Sequence, residues 1–123
     1  MDAYIYDGLR SAFGRHAGSL STMRVDDLLA TVIKALVARN PFAVNDYEDV
    51  IMGCTNQAGE DARNLARHAG LLAGLPITTG GLTVNRLCGS GMNAIADSAR
   101  ALHCQEGDLY VAGGAESMSR APF

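Results

Sequence analysis

Cys88 stands in the run Asn85-Arg86-Leu87-Cys88-Gly89-Ser90-Gly91-Met92, after an apolar stretch and directly before three of the smallest residues available. A packed core prefers bulk at such a place, and two chemical readings fit the spacing about equally. In the first, a strand-to-helix turn presents the cysteine to the unpaired N–H groups and positive end of the following helix, which favours a thiolate nucleophile. Gly89 and Gly91 then leave the sulfur open to a substrate, and N–H groups at the turn are placed to stabilise an oxyanion. In the second, Cys88 is an inert thiol beside a tight turn, the commonest fate of a free cysteine. Cys54 ends an apolar run and Cys104 a helix of small residues, so both read as core or boundary fillers.

A cysteine nucleophile usually needs a base, and the chain offers His16, His68 and His103. His103 lies 15 residues further along the predicted helix, or about 22 Å at 1.5 Å per residue, and is out of reach. His16 sits in a loop that can fold over the site, whereas His68 falls in a helix of mixed polarity and reads as a surface or contact residue. None carries a motif that recommends it, so the base is expected from outside these 123 residues.

The elements that must position Cys88 follow from periodicity. Ala3–Asp7 is rich in β-formers and is closed by Gly8, which predicts a first strand, followed by a polar loop through Ser21. Val25, Leu28, Leu29, Val32, Ile33, Leu36 and Val37 recur at helical spacing and predict a helix over Val25–Arg39, stopped by Asn40-Pro41. Asp49–Cys54 reads as a buried strand, Asn56–Asp61 as a polar connection and Ala62–Ala73 as a second helix. Gly81–Leu87 is the next strand, Gly89–Cys104 a helix with small residues on nearly every side, and Leu109–Ala112 a last strand ending in Gly113-Gly114. Alternation of strands and helices predicts an α/β layered fold with parallel crossovers.

Composition narrows the function classes. With 48% hydrophobic residues the chain can bury a core, and 13 acidic against 10 basic residues give a net charge of −3, with no footprint for nucleic acid or an anionic membrane. Three cysteines at wide spacing match neither a zinc site nor a disulfide scaffold, so no metal is expected and a reducing, cytoplasmic setting fits. The opening MDAYIYDGLR lacks the basic and apolar regions of a signal peptide. The chain reads as one unit over residues 1–123, yet it stops after a strand with no helix to cover it, which predicts a truncated domain.

The run NRLCGSGM resembles the nucleophile segment of the thiolases, enzymes that make or cleave 3-oxoacyl-CoA, and the likeness extends along the chain. Tyr4-Ile5-Tyr6-Asp7 with Arg10, Gly14-Arg15 and Gly18-Ser19-Leu20, then Asp49-Val50-Ile51-Met52-Gly53 with Gln57-Ala58-Gly59, and finally Ala112 to Ser119, resemble the family's segments in their order. Cys54–Asp61, Arg63-Asn64 and the closing Glu116–Phe123 are most similar to the 3-oxoadipyl-CoA thiolases of aromatic-compound degradation. Arg10-Ser11-Ala12 departs from the family's usual Arg-Thr-Pro.

The resemblance implies a layered α-β-α-β-α fold made of two similar halves, of which this chain is most of the first, the C-terminal domain being absent. It implies that Cys88 attacks the 3-oxo carbon, that acetyl-CoA leaves and that a Cys88 acyl thioester is passed to a second coenzyme A. The Cys88 N–H supplies half of an oxyanion hole, while the activating histidine and a second cysteine come from the missing half. Asn85 and Arg86 hold position, and Met118 lines the acyl pocket or simply packs. Coenzyme A and acyl-CoA thioesters are then substrates, with no separate cofactor, and the whole protein is a dimer or tetramer. Acetoacetyl-CoA and longer 3-oxoacyl-CoA are the alternative substrates, and a ketosynthase-type condensing enzyme using acyl-carrier protein is an alternative on the same fold. A catalytically silent fragment is the reading from another class, because the isolated chain would expose a surface meant for its other half.

Overall fold

Asp49–Gly53, strand β1, leaves no polar face: Val50, Ile51 and Met52 are consecutive and all buried. Such a strand must be covered on both sides, as in a parallel sheet flanked by helices. The computed structural model, which describes residues 2–122, has this architecture. Strands β2 (Leu82–Val84) and β3 (Tyr110–Gly114) run parallel to β1 on either side of it, in the order β2-β1-β3. Ile51 is opposite Leu82 and Ala112, and Gly53 is opposite Val84 and Gly114.

The two-residue period of β1 sorts its neighbours. Val50 and Met52 join Val111 in the core formed with helices α1 (Val25–Ala38) and α2 (Leu65–Ala73). Gly53, of the opposite parity, faces helix α3 (Ser90–His103): a Cβ placed there would lie 2.4 Å from the Ser90 carbonyl carbon. The chain is therefore an α/β fold with helices on both faces of a parallel sheet, as its alternating pattern predicts.

Helix α1 buries Val25, Leu29 and Ile33, one per turn, as the spacing predicts. Helix α2 starts at Leu65, three residues later than the predicted Ala62, because Arg63 and Asn64 adopt left-handed backbone conformations. Asn64 Oδ1 accepts from Arg67 N at 3.2 Å, which caps the helix, and its Nδ2 donates to Gly81 O at 2.7 Å, which ties that cap to the start of β2. Gly74, at φ 94°, supplies the left-handed turn that ends α2.

The predicted first strand does not form. Among the described residues both edges of β1 are taken by β2 and β3, and Ala3–Asp7 pairs with neither. β-forming side chains need a neighbouring strand, and without one Tyr4 and Ile5 stand 82% and 83% exposed. The segment is anchored instead at its end, where Arg39 Nε and Asn40 Nδ2 donate to Asp7 at 2.6 and 2.8 Å and hold its carboxyl far below the ordinary range. No helix among the described residues is long and apolar enough to cross a membrane.

Candidate active site

Three parallel strands bring their carboxyl ends to one edge of the sheet, the place where open α/β sheets bind ligands. Cys54 follows β1, Asn85 follows β2 and Ala115 follows β3. Between these ends and the loop through residues 9–21 lies an open cleft of about 1210 Å³. Its wall includes both residues singled out in the sequence, Cys88 and Met118, together with Gly91 and His16. His68, half-buried on α2, and His103, exposed at the end of α3, do not line it.

Cys88 is exposed on a knotted turn between β2 and α3. Leu87, immediately before it, has a left-handed backbone at φ 48°, which a branched side chain adopts only under constraint. The constraint is visible. Leu87 N donates to Asn85 Oδ1 at 2.9 Å, Gly89 N to Arg86 O at 3.0 Å, and Ser90 N to Leu87 O at 3.1 Å. Ser90 Oγ accepts from Arg86 N at 2.8 Å and donates to Leu87 O at 2.6 Å, closing the turn on the first residue of the helix.

Helix α3 explains its own composition. Ser90, Ala94 and Ser98 are buried at four-residue intervals against the sheet, where only small side chains fit the close approach to Gly53. The other side of the helix remains open, with Met92 75% exposed and Ile95 45% exposed. The small-residue pattern thus buries one stripe of α3 within this chain.

Cys54 has a different setting. It is 1% exposed, and its thiol lies 3.4 Å from Asn56 O, 3.7 Å from Glu116 Oε1 and 4.0 Å from Asp61 Oδ2. Burial, reinforced by the two carboxylates, pushes the thiol up to about 12, so it stays protonated and donates. Glu116 also accepts from Thr55 N at 2.9 Å, Thr55 Oγ1 at 2.7 Å and Asn56 N at 2.9 Å. Partial burial opposes its charge, but the bonds from Thr55 and Asn56 outweigh that and hold its carboxyl below the ordinary value. Burial instead raises Asp61, which accepts from Ala58 N at 3.1 Å and Asn56 Nδ2 at 3.2 Å. The donor atoms of Cys54, Asp61 and Glu116 lie within 4.8 Å of one another, close enough to consider a metal ion, but the thiol proton and five N–H or O–H donors already occupy them.

The cleft's other charges are cationic. Arg10 and Arg15 line it, and neither pairs with a carboxylate among the described residues; Arg10 lies over the Phe13 ring at 5.3 Å and donates to Ser11 O. Glu116, the one acidic residue of the wall, is saturated as described. Ser119 Oγ accepts from Ala17 N at 2.8 Å, so the loop bearing Arg15 and His16 is fastened to the segment bearing Met118. Glu60 pairs with Arg120 at 2.5 Å and Arg24 at 3.7 Å just beyond. Glu116 and Thr55 fall in segments that carry the resemblance but take no assigned role there, because nothing in their spacing links residues 61 apart; parallel strand order alone makes them neighbours. Phe123, the last residue of the segments that carry the resemblance, lies outside the described residues.

Comparison with known proteins agrees with this architecture. The family described as thiolase, N-terminal domain, matches residues 3–123. The 3-oxoadipyl-CoA/3-oxo-5,6-dehydrosuberyl-CoA thiolase of Escherichia coli K12 is 55% identical over 99% of this chain and 31% of its own length. A beta-ketoadipyl-CoA thiolase of Acinetobacter baylyi is 57% identical over 98% of the chain and 30% of its own length, and a 3-ketoacyl-CoA thiolase of Acinetobacter baumannii is 50% identical over 95% and 30%. The chain thus spans about 30% of the curated relatives it matches. Strand ends, cleft and motif order meet in one conclusion: this chain belongs to the thiolase family, matching its N-terminal domain.

Proposed function

We propose that the chain is the N-terminal part of an acyl-CoA thiolase in which Cys88 is the nucleophile. The observation that carries this is the placement of an exposed cysteine, on a constrained turn ahead of a helix, in the wall of the cleft at the strand ends. The Cys88 thiolate attacks C3 of a 3-oxoacyl-CoA, and the carbonyl electrons move to oxygen. As the carbonyl re-forms, the C2–C3 bond breaks and its electron pair passes to C2, which takes up a proton and leaves as acetyl-CoA. The acyl group remains on sulfur until a coenzyme A thiolate displaces Cys88 and carries it away. Proton donor and acceptor for both steps come from residues beyond this chain, so the isolated chain is catalytically silent.

The favoured substrate is 3-oxoadipyl-CoA, whose acyl chain ends in a carboxylate. Several relatives are named for that substrate, and Arg10 and Arg15 offer the cleft two cations that pair with no carboxylate among the described residues. A charge-assisted contact of this kind contributes about 1.5 to 3 kcal/mol. The test is rapid quenching of the full-length protein, followed by mass analysis of the Cys88 peptide. A succinyl adduct is expected from 3-oxoadipyl-CoA and an acetyl adduct from acetoacetyl-CoA; absence of both overturns the nucleophile assignment. Arg10→Gln with Arg15→Gln should raise KM about tenfold or more for 3-oxoadipyl-CoA alone. An equal rise for both substrates would assign the arginines to coenzyme A and withdraw the tail-carboxylate reading.

A further inference from the structure

Glu116 lies two residues beyond β3 and ties that strand end to its neighbours. Its carboxylate takes the backbone N–H and the hydroxyl of Thr55 and the N–H of Asn56, gripping the loop that follows β1. The carbonyl of the same Thr55 accepts from Asn85 Nδ2 at 3.4 Å, just after β2. Asn85 Oδ1 in turn accepts from Leu87 N at 2.9 Å, next to Cys88. A continuous hydrogen-bonded path thus runs from the end of β3, across the end of β1, to the left-handed residue that aims Cys88.

We infer that Glu116 is a positioning residue for Cys88, acting through Thr55 and Asn85, an inference that rests on the thiolase reading of Cys88. The physical reason lies in the turn. A left-handed leucine costs free energy and holds only while its surroundings over-determine it. Asn85 is exposed and, unless Thr55 pins its amide, is free to rotate away from Leu87 N. Thr55 in turn is a loop residue whose backbone is fixed by the Glu116 carboxylate. Glutamine at position 116 would keep the shape but aim an amide N–H₂ at one of the N–H or O–H donors, breaking the grip where it starts.

The experiment is a set of variants in the full-length protein: Glu116→Gln, Asn85→Ala, their double, Thr55→Val and Thr55→Ser. Glu116→Gln is expected to lower kcat about tenfold to a hundredfold with KM for coenzyme A little changed, because misplacing a reacting group by about 1 Å is worth up to that factor. The double variant should lose no more than the worse single, as residues of one path are coupled rather than additive. Thr55→Val should lower kcat and Thr55→Ser restore it, which keeps the test informative where Glu116→Gln does not fold. Unchanged kcat in Glu116→Gln, losses that multiply in the double, or a Thr55→Ser no better than Thr55→Val would each overturn the inference. If instead the unsubstituted protein forms no Cys88 adduct, the thiolase reading fails, which is a separate outcome.

Discussion

Cys54 and Cys88 follow neighbouring parallel strands and open on the same edge of the sheet, yet their surroundings diverge. Cys54 comes directly after β1 and is closed in by the protein, with two carboxylates near its sulfur. Cys88 comes four residues after β2, and the three residues between carry it out of the layered core onto a turn facing the cleft. Strand position alone therefore does not make a nucleophile. What separates the two is the length of chain between strand and cysteine and the burial that follows from it.

The largest expected contrast is in turnover. Cys88→Ala in the full-length protein should abolish thiolysis, whereas Cys54→Ser, which keeps a donor toward Glu116, should retain most of it. Equal losses would break the comparison. Alkylation should show the next largest difference: with iodoacetamide near neutral pH, peptide mapping should find Cys88 and Cys104 modified and Cys54 protected until the chain unfolds. Rapid labelling of Cys54 in the folded protein would contradict its burial.

Alkaline stability should show the smallest effect. The Cys54 thiol ionises near 9.0 in the unfolded chain and near 12 in the folded one. A raised folded value means that its contribution is fully present below pH 9.0 and is lost as pH rises toward 12. Urea midpoints measured across that window should fall less steeply for Cys54→Ser than for the unsubstituted protein. Identical slopes would show that burial does not hold the proton on Cys54.

Much of this was legible in the residues, for physical reasons that differ by element. The periodic apolar face of α1 and the unbroken apolar run of β1 report burial directly, and both appear where predicted. Ala3–Asp7 misled because β propensity reports a fit to a pleated neighbour, and no described strand lies beside it. The start of α2 was misplaced by three residues because Asn64 caps the helix from a left-handed conformation while bonding to Gly81, a contact 17 residues away. At the site, Cys88 stood out by its small neighbours, and the cleft brings Met118 and His16 to the same wall. Glu116 gave no signal of its own, since a carboxylate among serines looks like any solvated one until the strand order delivers it to Thr55.

Parallel pairing also fixes what lies at the opposite edge. The chain enters all three strands there, and Cys104 sits in a shallow hollow beside Asp49 and Tyr110, the first residues of β1 and β3. That thiol is exposed and separated from the cleft by the length of the sheet. It offers a natural handle for oriented attachment. With Cys88 masked by a reversible acyl group, maleimide coupling through Cys104 would tether the molecule to a surface with its cleft directed outward.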